Sequence, residues 1–185
     1  YFLSRINNTR NTYMNWFLLT VGYSGMSPKA PGTVGSFVSL LLGIAILTYL
    51  DSSTLFLGAL LATVAGYKLV NDYEAAGGIH DNKHIVIDEL AGMWIAMSIA
   101  IVPFTKIPPE AYSEYTQYWT LWLSIALSFA FFRYFDIAKP SVIGRLDRDA
   151  KGGIGVMGDD VVAGIAAGVS TALVMKLLFT YLEMA

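Results

Sequence analysis

Long runs of apolar residues separated by short polar segments dominate the pattern along the chain. Five runs stand out, at residues 37–50, 55–70, 85–102, 119–135 and 161–182. A membrane-spanning helix needs about 20 mostly apolar residues, with about 17 as the lower limit. The last three runs meet this limit and the first two are short for it. Residues 13–21 predict a short helix at the membrane interface, so the pattern as a whole predicts an all-α polytopic membrane bundle with about five embedded helices.

Composition supports a membrane protein without division into domains. The 185 residues are 55% hydrophobic and 14% charged, whereas a soluble domain carries about 25% charged residues. No repeat or long linker is visible, which predicts one domain over residues 1–185 with residues 1–24 as tail and interfacial helix. The net charge of −2 speaks against nucleic acid as a partner. The absence of Cys excludes disulfides, thiolate nucleophiles and Cys-type zinc sites.

Charged residues concentrate on one side of the predicted bundle. If the helices alternate in direction, one face holds the N-terminal tail, residues 68–84 and residues 133–160. Ten of the twelve Lys and Arg lie there, and short loops rich in these residues stay in the cytoplasm. Ten of the fourteen acids lie there or at the adjoining start of the third apolar run. The charge rule for loops does not account for acids, and ionisable groups at membrane depth usually mark a functional site.

The stretch "DNKHIVIDELAGMW" places two adjacent acids, Asp88 and Glu89, inside the third apolar run. The helix dipole also favours acids in a first turn, an alternative that explains a single carboxylate better than a pair. His84 and Asp88 are four residues apart and would share one helical face. We expect the two acids to face a polar cavity or a cation.

The stretch "FFRYFDIAKPSVIGRLDRD" repeats a charged residue at every third position. Arg133, Asp136 and Lys139 come just before Pro140, so they share one side of a helix end that the proline terminates. This row suits an Asp at a metal beside basic groups that hold phosphate oxygens. A salt-bridged helix end anchored to lipid headgroups is the alternative.

The stretch "GGIGVMGDDVVAG" brings four glycines in front of Asp159 and Asp160. The glycines predict a flexible loop or a backbone that approaches a phosphate closely. Asp159 alone is explained as an N-cap of the fifth helix, but Asp160 then adds repulsion unless a cation offsets it. Further along the same run, Gly164 and Gly168 predict close helix packing.

The stretch "SPKAPGTVGSF" opens the first apolar run with Gly, Thr and Ser. Free N–H groups and hydroxyls at such a helix start form an anion site, in which Thr33 and Ser36 would contact the ligand. The alternative is that one of them simply caps the helix.

Four separate segments thus bring acids, bases and glycine-rich helix starts to one membrane face. Oxygen-rich ligand sets without Cys and with only two His favour Mg²⁺ or Mn²⁺ over zinc. Basic side chains beside such a site indicate a phosphorylated ligand, and the membrane location indicates that this ligand is a lipid.

Together these motifs resemble the bacterial phosphatidylglycerophosphatase A family. The matching stretches run in order along most of the chain: "SPKAPGTVGS", "IHDNKHIVIDELAGMWIA", "FRYFDIAKPSVIGRLDR" and "GGIGVMGDDVVAGI". The resemblance implies Mg²⁺-dependent removal of the terminal phosphate from phosphatidylglycerophosphate, which gives phosphatidylglycerol at the cytoplasmic face of the inner membrane. Ser141 and Val142 depart from the family pattern after Lys-Pro, a difference expected to affect packing or headgroup fit.

The resemblance also assigns roles by position. It places the catalytic, metal-binding acids at Asp88, Glu89, Asp136, Asp159 and Asp160. The basic positions for the substrate phosphate are Arg133, Lys139 and Arg145, beside the anion site of Thr33 and Ser36. Asp81 also falls in a matching segment. Two chemical routes stay open: attack by water with a carboxylate or His84 as base, and an aspartyl-phosphate on Asp88 or Asp159.

Other functions remain to be weighed against this one. Acids within a membrane also build ion paths, so an ion-coupled or Mg²⁺ transporter is the main alternative, although here the acids crowd one face. A CDP-alcohol phosphotransferase would group its acids in one extended Asp-Gly/Ala-Arg pattern, which this chain lacks. A structural subunit that binds anionic lipid through basic loops would not need the acids.

Overall fold

The protein folds into a bundle of long helices. The computed structural model describes residues 13–80, 82–105, 114–140, 143–145 and 152–184. Its long helices are α1 (Pro31–Tyr49), α2 (Ser52–Ala75), α3 (Ile87–Thr105), α4 (Glu114–Ala138) and α5 (Gly152–Met184). Residues 13–19 form a further helical segment, and a 3₁₀ turn follows at Ser24–Met26. No strand occurs among these described residues, and the predicted all-α membrane bundle is confirmed.

Four of these helices are long and apolar enough to cross a membrane: α1, α2, the Tyr118–Ala138 part of α4 and the Gly152–Tyr181 part of α5. The two apolar runs that looked short are thus parts of helices of 19 and 24 residues. Weakly polar flanks extend both helices beyond the apolar runs. In α1 the extension begins at Pro31, because proline suits the first helical position.

Helix α3 lies in the centre and packs against α1, α2, α4 and α5. Its buried face is lined with small and flexible side chains, including Ala91, Ala96 and Met97. A Cβ atom on Gly164 of α5 would overlap the carbonyl group of Gly92, and one on Gly168 would lie 2.9 Å from the Ala96 carbonyl oxygen. The two backbones therefore touch, as small residues at helix interfaces in membranes allow.

Helix α5 begins nine residues before the start that the apolar run suggested. The stretch expected to form a glycine loop is helical from Gly152 onward, so that expectation is wrong, as is the alternative of Asp159 as an N-cap. A Cβ on Gly153 would overlap the Tyr67 backbone of α2, and the Gly153 N–H donates to Asn71 Oδ1 at 3.0 Å. Contact with α2 offsets the low helix propensity of glycine.

Asp51 caps α2 outside the membrane-spanning segment. Hydrogen bonds from the Thr54 N–H at 2.8 Å and the Thr54 hydroxyl at 3.0 Å lower the pKa of Asp51 below its ordinary 3.8. A carboxyl whose pKa is lower in the folded state stabilises the fold at pH values above its unfolded-state pKa. This stabilisation is lost as pH falls through its folded-state pKa.

We expect Asp51→Ala to lower the detergent unfolding temperature modestly at neutral pH, with a difference from wild type that narrows in acid. The measurement is the unfolding midpoint of both proteins across pH, with Ser53→Ala as the neighbouring control. A difference that stays constant down to acid pH would contradict the charged-cap explanation.

Candidate functional site

A polar cleft of about 440 Å³ lies at one end of the bundle. The starts of α1 and α3, the end of α4, the first turns of α5 and the loop between α2 and α3 enclose it. This arrangement follows because successive helices alternate in direction, as the assignment of charges to one face had assumed. The motif-bearing segments, far apart in sequence, therefore meet around one space.

Three carboxylates in the cleft form a close group. One oxygen each from Asp88, Glu89 and Asp160 lie within 4.8 Å of one another. Glu89 is only 9% exposed and Asp160 only 3%, and Glu89 Oε2 is buried with no hydrogen-bond partner among the described residues. Grouped buried carboxylates repel one another and lose hydration, and this group could hold a cation that would offset both costs.

The positions of the acids near the N-terminal ends of α3 and α5 bring their carboxylates close together. Asp88 and Glu89 lie in the first turn of α3, and Asp160 lies in the third turn of α5. A Cβ on Gly32 of α1 would overlap Glu89 Oε1, so glycine at this position lets the Glu89 carboxylate lie against the start of α1.

Asp136 is held by a basic partner at the end of α4. Arg133 Nη1 donates to Asp136 Oδ2 and, at 3.1 Å, to Ser36 Oγ, while Arg133 Nη2 donates to Thr33 Oγ1 at 3.2 Å. The guanidinium therefore joins α1 to α4 and fixes Asp136 at the cleft wall. The planar fork of arginine suits this bridging role better than lysine would.

Asp159 is paired in a similar way. Lys139 Nζ donates to Asp159 Oδ2 at 2.8 Å, which joins the end of α4 to α5. Lys139 has a left-handed backbone with φ of 42° directly before Pro140, and Ala30 has φ of 47° directly before Pro31. Non-glycine residues rarely adopt this conformation, and such strain clusters at functional sites.

The structure brings most of the predicted site together. Six of the predicted residues line the cleft: Asp88, Glu89, Asp136, Lys139, Asp159 and Asp160. Arg133 lies behind this lining and contacts it through Asp136. Asp81 lies outside the described residues.

Two expectations about the neighbouring residues are wrong, and a third stays a prediction. Thr33 and Ser36 do not cap α1, because the N-cap is Ala30; instead they accept hydrogen bonds from Arg133. His84 does not share a helical face with Asp88, because α3 begins only at Ile87 and His84 Nδ1 lies 2.7 Å from the Gly25 carbonyl oxygen. Arg145 is exposed and is not among the described residues that line the cleft, so its contact with the substrate phosphate stays a prediction.

Sequence reasoning missed the contribution of the loop between α2 and α3. His80, Asn82 and Lys83 all line the cleft. Asn82 Nδ2 donates to the Tyr73 hydroxyl at 2.7 Å, and the Val86 N–H donates to the Leu19 carbonyl at 2.8 Å, so the loop is tied down at several points. The polar run "IHDNKH" was the available signal, since it directly precedes the acidic pair.

Fold and site together define an integral membrane protein with a buried, carboxylate-lined polar site at one end of its helices. A family model described as Phosphatidylglycerophosphatase A matches residues 17–175. The chain belongs to the phosphatidylglycerophosphatase A family, which confirms the resemblance seen in the motifs, and it is a phosphatase that acts on lipid.

Individual relatives agree with this assignment over most of their length. The chain is 35% identical to Phosphatidylglycerophosphatase A of Escherichia coli (strain K12), over 83% of this chain and 80% of that protein. It is 35% identical to the Haemophilus influenzae protein of the same name, over 81% and 82% respectively. It is 36% identical to a "Putative phosphatidylinositol-3-phosphatase" of Bacteroides thetaiotaomicron, over 80% and 86%. No solved structure matches the chain.

Proposed function

We propose that this protein hydrolyses phosphatidylglycerophosphate to phosphatidylglycerol and inorganic phosphate, with Mg²⁺, at the cytoplasmic face of a bacterial inner membrane. The observation that carries this proposal is the group formed by Asp88, Glu89 and Asp160 within the cleft. Relatives named for this activity support the choice of substrate. The clustering of Lys and Arg on the segments at the cleft end supports a cytoplasmic site.

The donor set fits a magnesium ion. All three clustered ligands are carboxylate oxygens, the kind that Mg²⁺ prefers. The buried Glu89 Oε2 has no hydrogen-bond partner among the described residues, and a cation would interact with it. Asp88, Glu89 and Asp160 would hold the ion, with Asp136 and Asp159 on the adjoining walls. When bound, the ion would polarise phosphate oxygens and offset the charge that develops during hydrolysis.

The basic residues orient the phosphate and the acids around it. Lys139 lines the cleft and bonds Asp159, so its ammonium lies where a phosphate oxygen can share it. Arg133 bonds Asp136 and anchors it to α1, and in this proposal Thr33 and Ser36 act by positioning the guanidinium. Arg145 remains a predicted contact for the lipid headgroup. His84 is not among the described residues that line the cleft, so in this proposal the base that accepts the proton of the attacking water is a cleft carboxylate.

The direct test is release of phosphate by the purified protein in detergent micelles. We expect phosphatidylglycerophosphate to be hydrolysed with Mg²⁺ present, activity to be lost on addition of EDTA, and excess Mg²⁺ to restore it. Undiminished hydrolysis in EDTA would contradict the metal assignment. Absence of hydrolysis under every metal condition would contradict the substrate assignment.

One relative supports a second substrate within the same reaction class. Because the Bacteroides thetaiotaomicron relative is named a putative phosphatidylinositol-3-phosphatase, phosphatidylinositol 3-phosphate is the natural comparison substrate. Both lipids carry a phosphomonoester on a polyol joined to a phosphatidyl group. If kcat/KM is higher for phosphatidylinositol 3-phosphate than for phosphatidylglycerophosphate, the inositol lipid is the preferred substrate and replaces phosphatidylglycerophosphate in the proposal.

A further inference from the structure

The loop between α2 and α3 contributes an imidazole to the lining of the cleft that also holds the acids. His80 lines the cleft, and its Nδ1 lies 2.6 Å from Glu74 Oε1 near the end of α2. The His80 side chain is 55% exposed. Within the described part of the chain, no residue bonds its other ring nitrogen, Nε2, so that nitrogen is available to a ligand in the cleft.

The loop that carries His80 is fixed on both sides. Before it, Gly78 packs on Tyr73, whose ring lies 5.7 Å from that of Trp16. After it, Asn82 bonds the Tyr73 hydroxyl and His84 bonds the Gly25 carbonyl. The imidazole is thus oriented by Glu74 and carried by an anchored segment, as a positioned acid or base must be.

The reaction requires a proton donor that the carboxylate group does not provide. Hydrolysis of an alkyl phosphate releases an alcohol, and an alkoxide is a poor leaving group unless it is protonated as the bond breaks. In the proposed function the acids Asp88, Glu89 and Asp160 hold the cation, and Lys139 Nζ donates to Asp159. His80 is the imidazole among the described residues that line the cleft.

We infer that His80 is the general acid of the reaction, held in orientation by Glu74 as a positioning residue. The inference rests on the proposed hydrolysis of a lipid phosphomonoester. In the step, the oxygen of water bonds to phosphorus and the bond from phosphorus to the alcohol oxygen breaks, with its electron pair going to that oxygen. The proton on His80 Nε2 passes to the alcohol oxygen, and Nδ1–H stays bonded to Glu74. A proton from the attacking water goes to a cleft carboxylate and on to solvent, from which His80 is reprotonated.

A pair of lipids that differ in one atom tests this assignment. The first is phosphatidylglycerophosphate, and the second carries sulfur in place of the bridging oxygen of its terminal phosphate. A thiol ionises near pH 8.5, so a thiolate leaves without prior protonation. We expect His80→Gln to lower kcat on the oxygen ester by about 10²–10⁴-fold and to spare the sulfur ester to within about tenfold. Glu74→Gln should show a smaller loss with the same selectivity.

The second histidine of the chain provides the matched control. His84 lies outside the cleft lining and bonds backbone, so His84→Gln should change both rates by the same factor. If His80→Gln lowers both rates equally, or lowers neither, the general-acid role is overturned. Hydrolysis of the lipid by the wild-type protein is a separate test. If the wild-type protein does not hydrolyse the lipid, the proposed function itself is overturned.

Discussion

Replacing Asp88 by Asn is expected to lower kcat for phosphate release by at least about 10²–10³-fold, the size of effect seen when one preorganised electrostatic group is removed. The amide keeps the shape of the carboxylate but removes one negative charge from the group that Asp88 forms with Glu89 and Asp160. Binding of the cation should weaken with it. Because less negative charge remains buried, the variant should fold at least as well as the wild type.

The experiment measures kcat, Mg²⁺ affinity and unfolding temperature of the purified variant. Mn²⁺ binding followed by electron paramagnetic resonance reports the cation without reliance on turnover. Asp72→Asn is the matched control, because Asp72 is an exposed acid at the same end of the bundle that does not line the cleft. Wild-type turnover and wild-type Mn²⁺ affinity in Asp88→Asn would remove the basis of the metal assignment.

Asp159→Asn tests the pair that Asp159 forms with Lys139 in the same cleft. The substitution removes the charge that Lys139 Nζ approaches at 2.8 Å, and we expect it also to abolish activity while the protein stays in the membrane. Lys139 would then lose its orientation toward the phosphate. Retention of full activity would show that this pair lies outside the reaction.

The second large effect concerns the packing between α3 and α5. A Cβ on Gly164 would overlap the Gly92 carbonyl oxygen, and the carbonyl carbon and Cα of Gly92 would each lie at 2.9 Å. Backbone cannot move aside as a side chain can, so Gly164→Ala should force the helices apart and cost about 1–3 kcal/mol, as overpacking does. Because the crossing lies close to Asp160, the displacement should also open the acidic group and lower activity.

Gly158→Ala on the same helix is the control for this prediction. A Cβ there meets no described residue within 4 Å, so the change should be neutral or stabilising by up to about 1 kcal/mol, because alanine favours helix over glycine. The two variants are compared by their free energy of unfolding in mixed detergent. Equal stability of the two would show that α3 and α5 do not approach as closely as the structure indicates.

The existence of the helices and the identity of the candidate acids could be predicted, because each depends on local sequence. An apolar run in lipid must satisfy its backbone hydrogen bonds within itself, so it forms a helix regardless of its partners. Helix starts were less predictable. The start of α5 depends on contact between Gly153 and Tyr67 and on the side chain of Asn71, and both partners lie some eighty residues earlier in the chain.

The sequence by itself determined the class of protein, and it predicted the face and the acids of the site, because length, hydropathy and motif spacing are properties of the chain alone. Only the tertiary structure decided which acids face one another and which are held by bases. It paired Asp136 with Arg133 and Asp159 with Lys139. It also placed Asp88, Glu89 and Asp160 in one close group and His80 in the lining of the same cleft. The reason is geometric: pairing depends on distances between helices, and these follow from how their surfaces pack together.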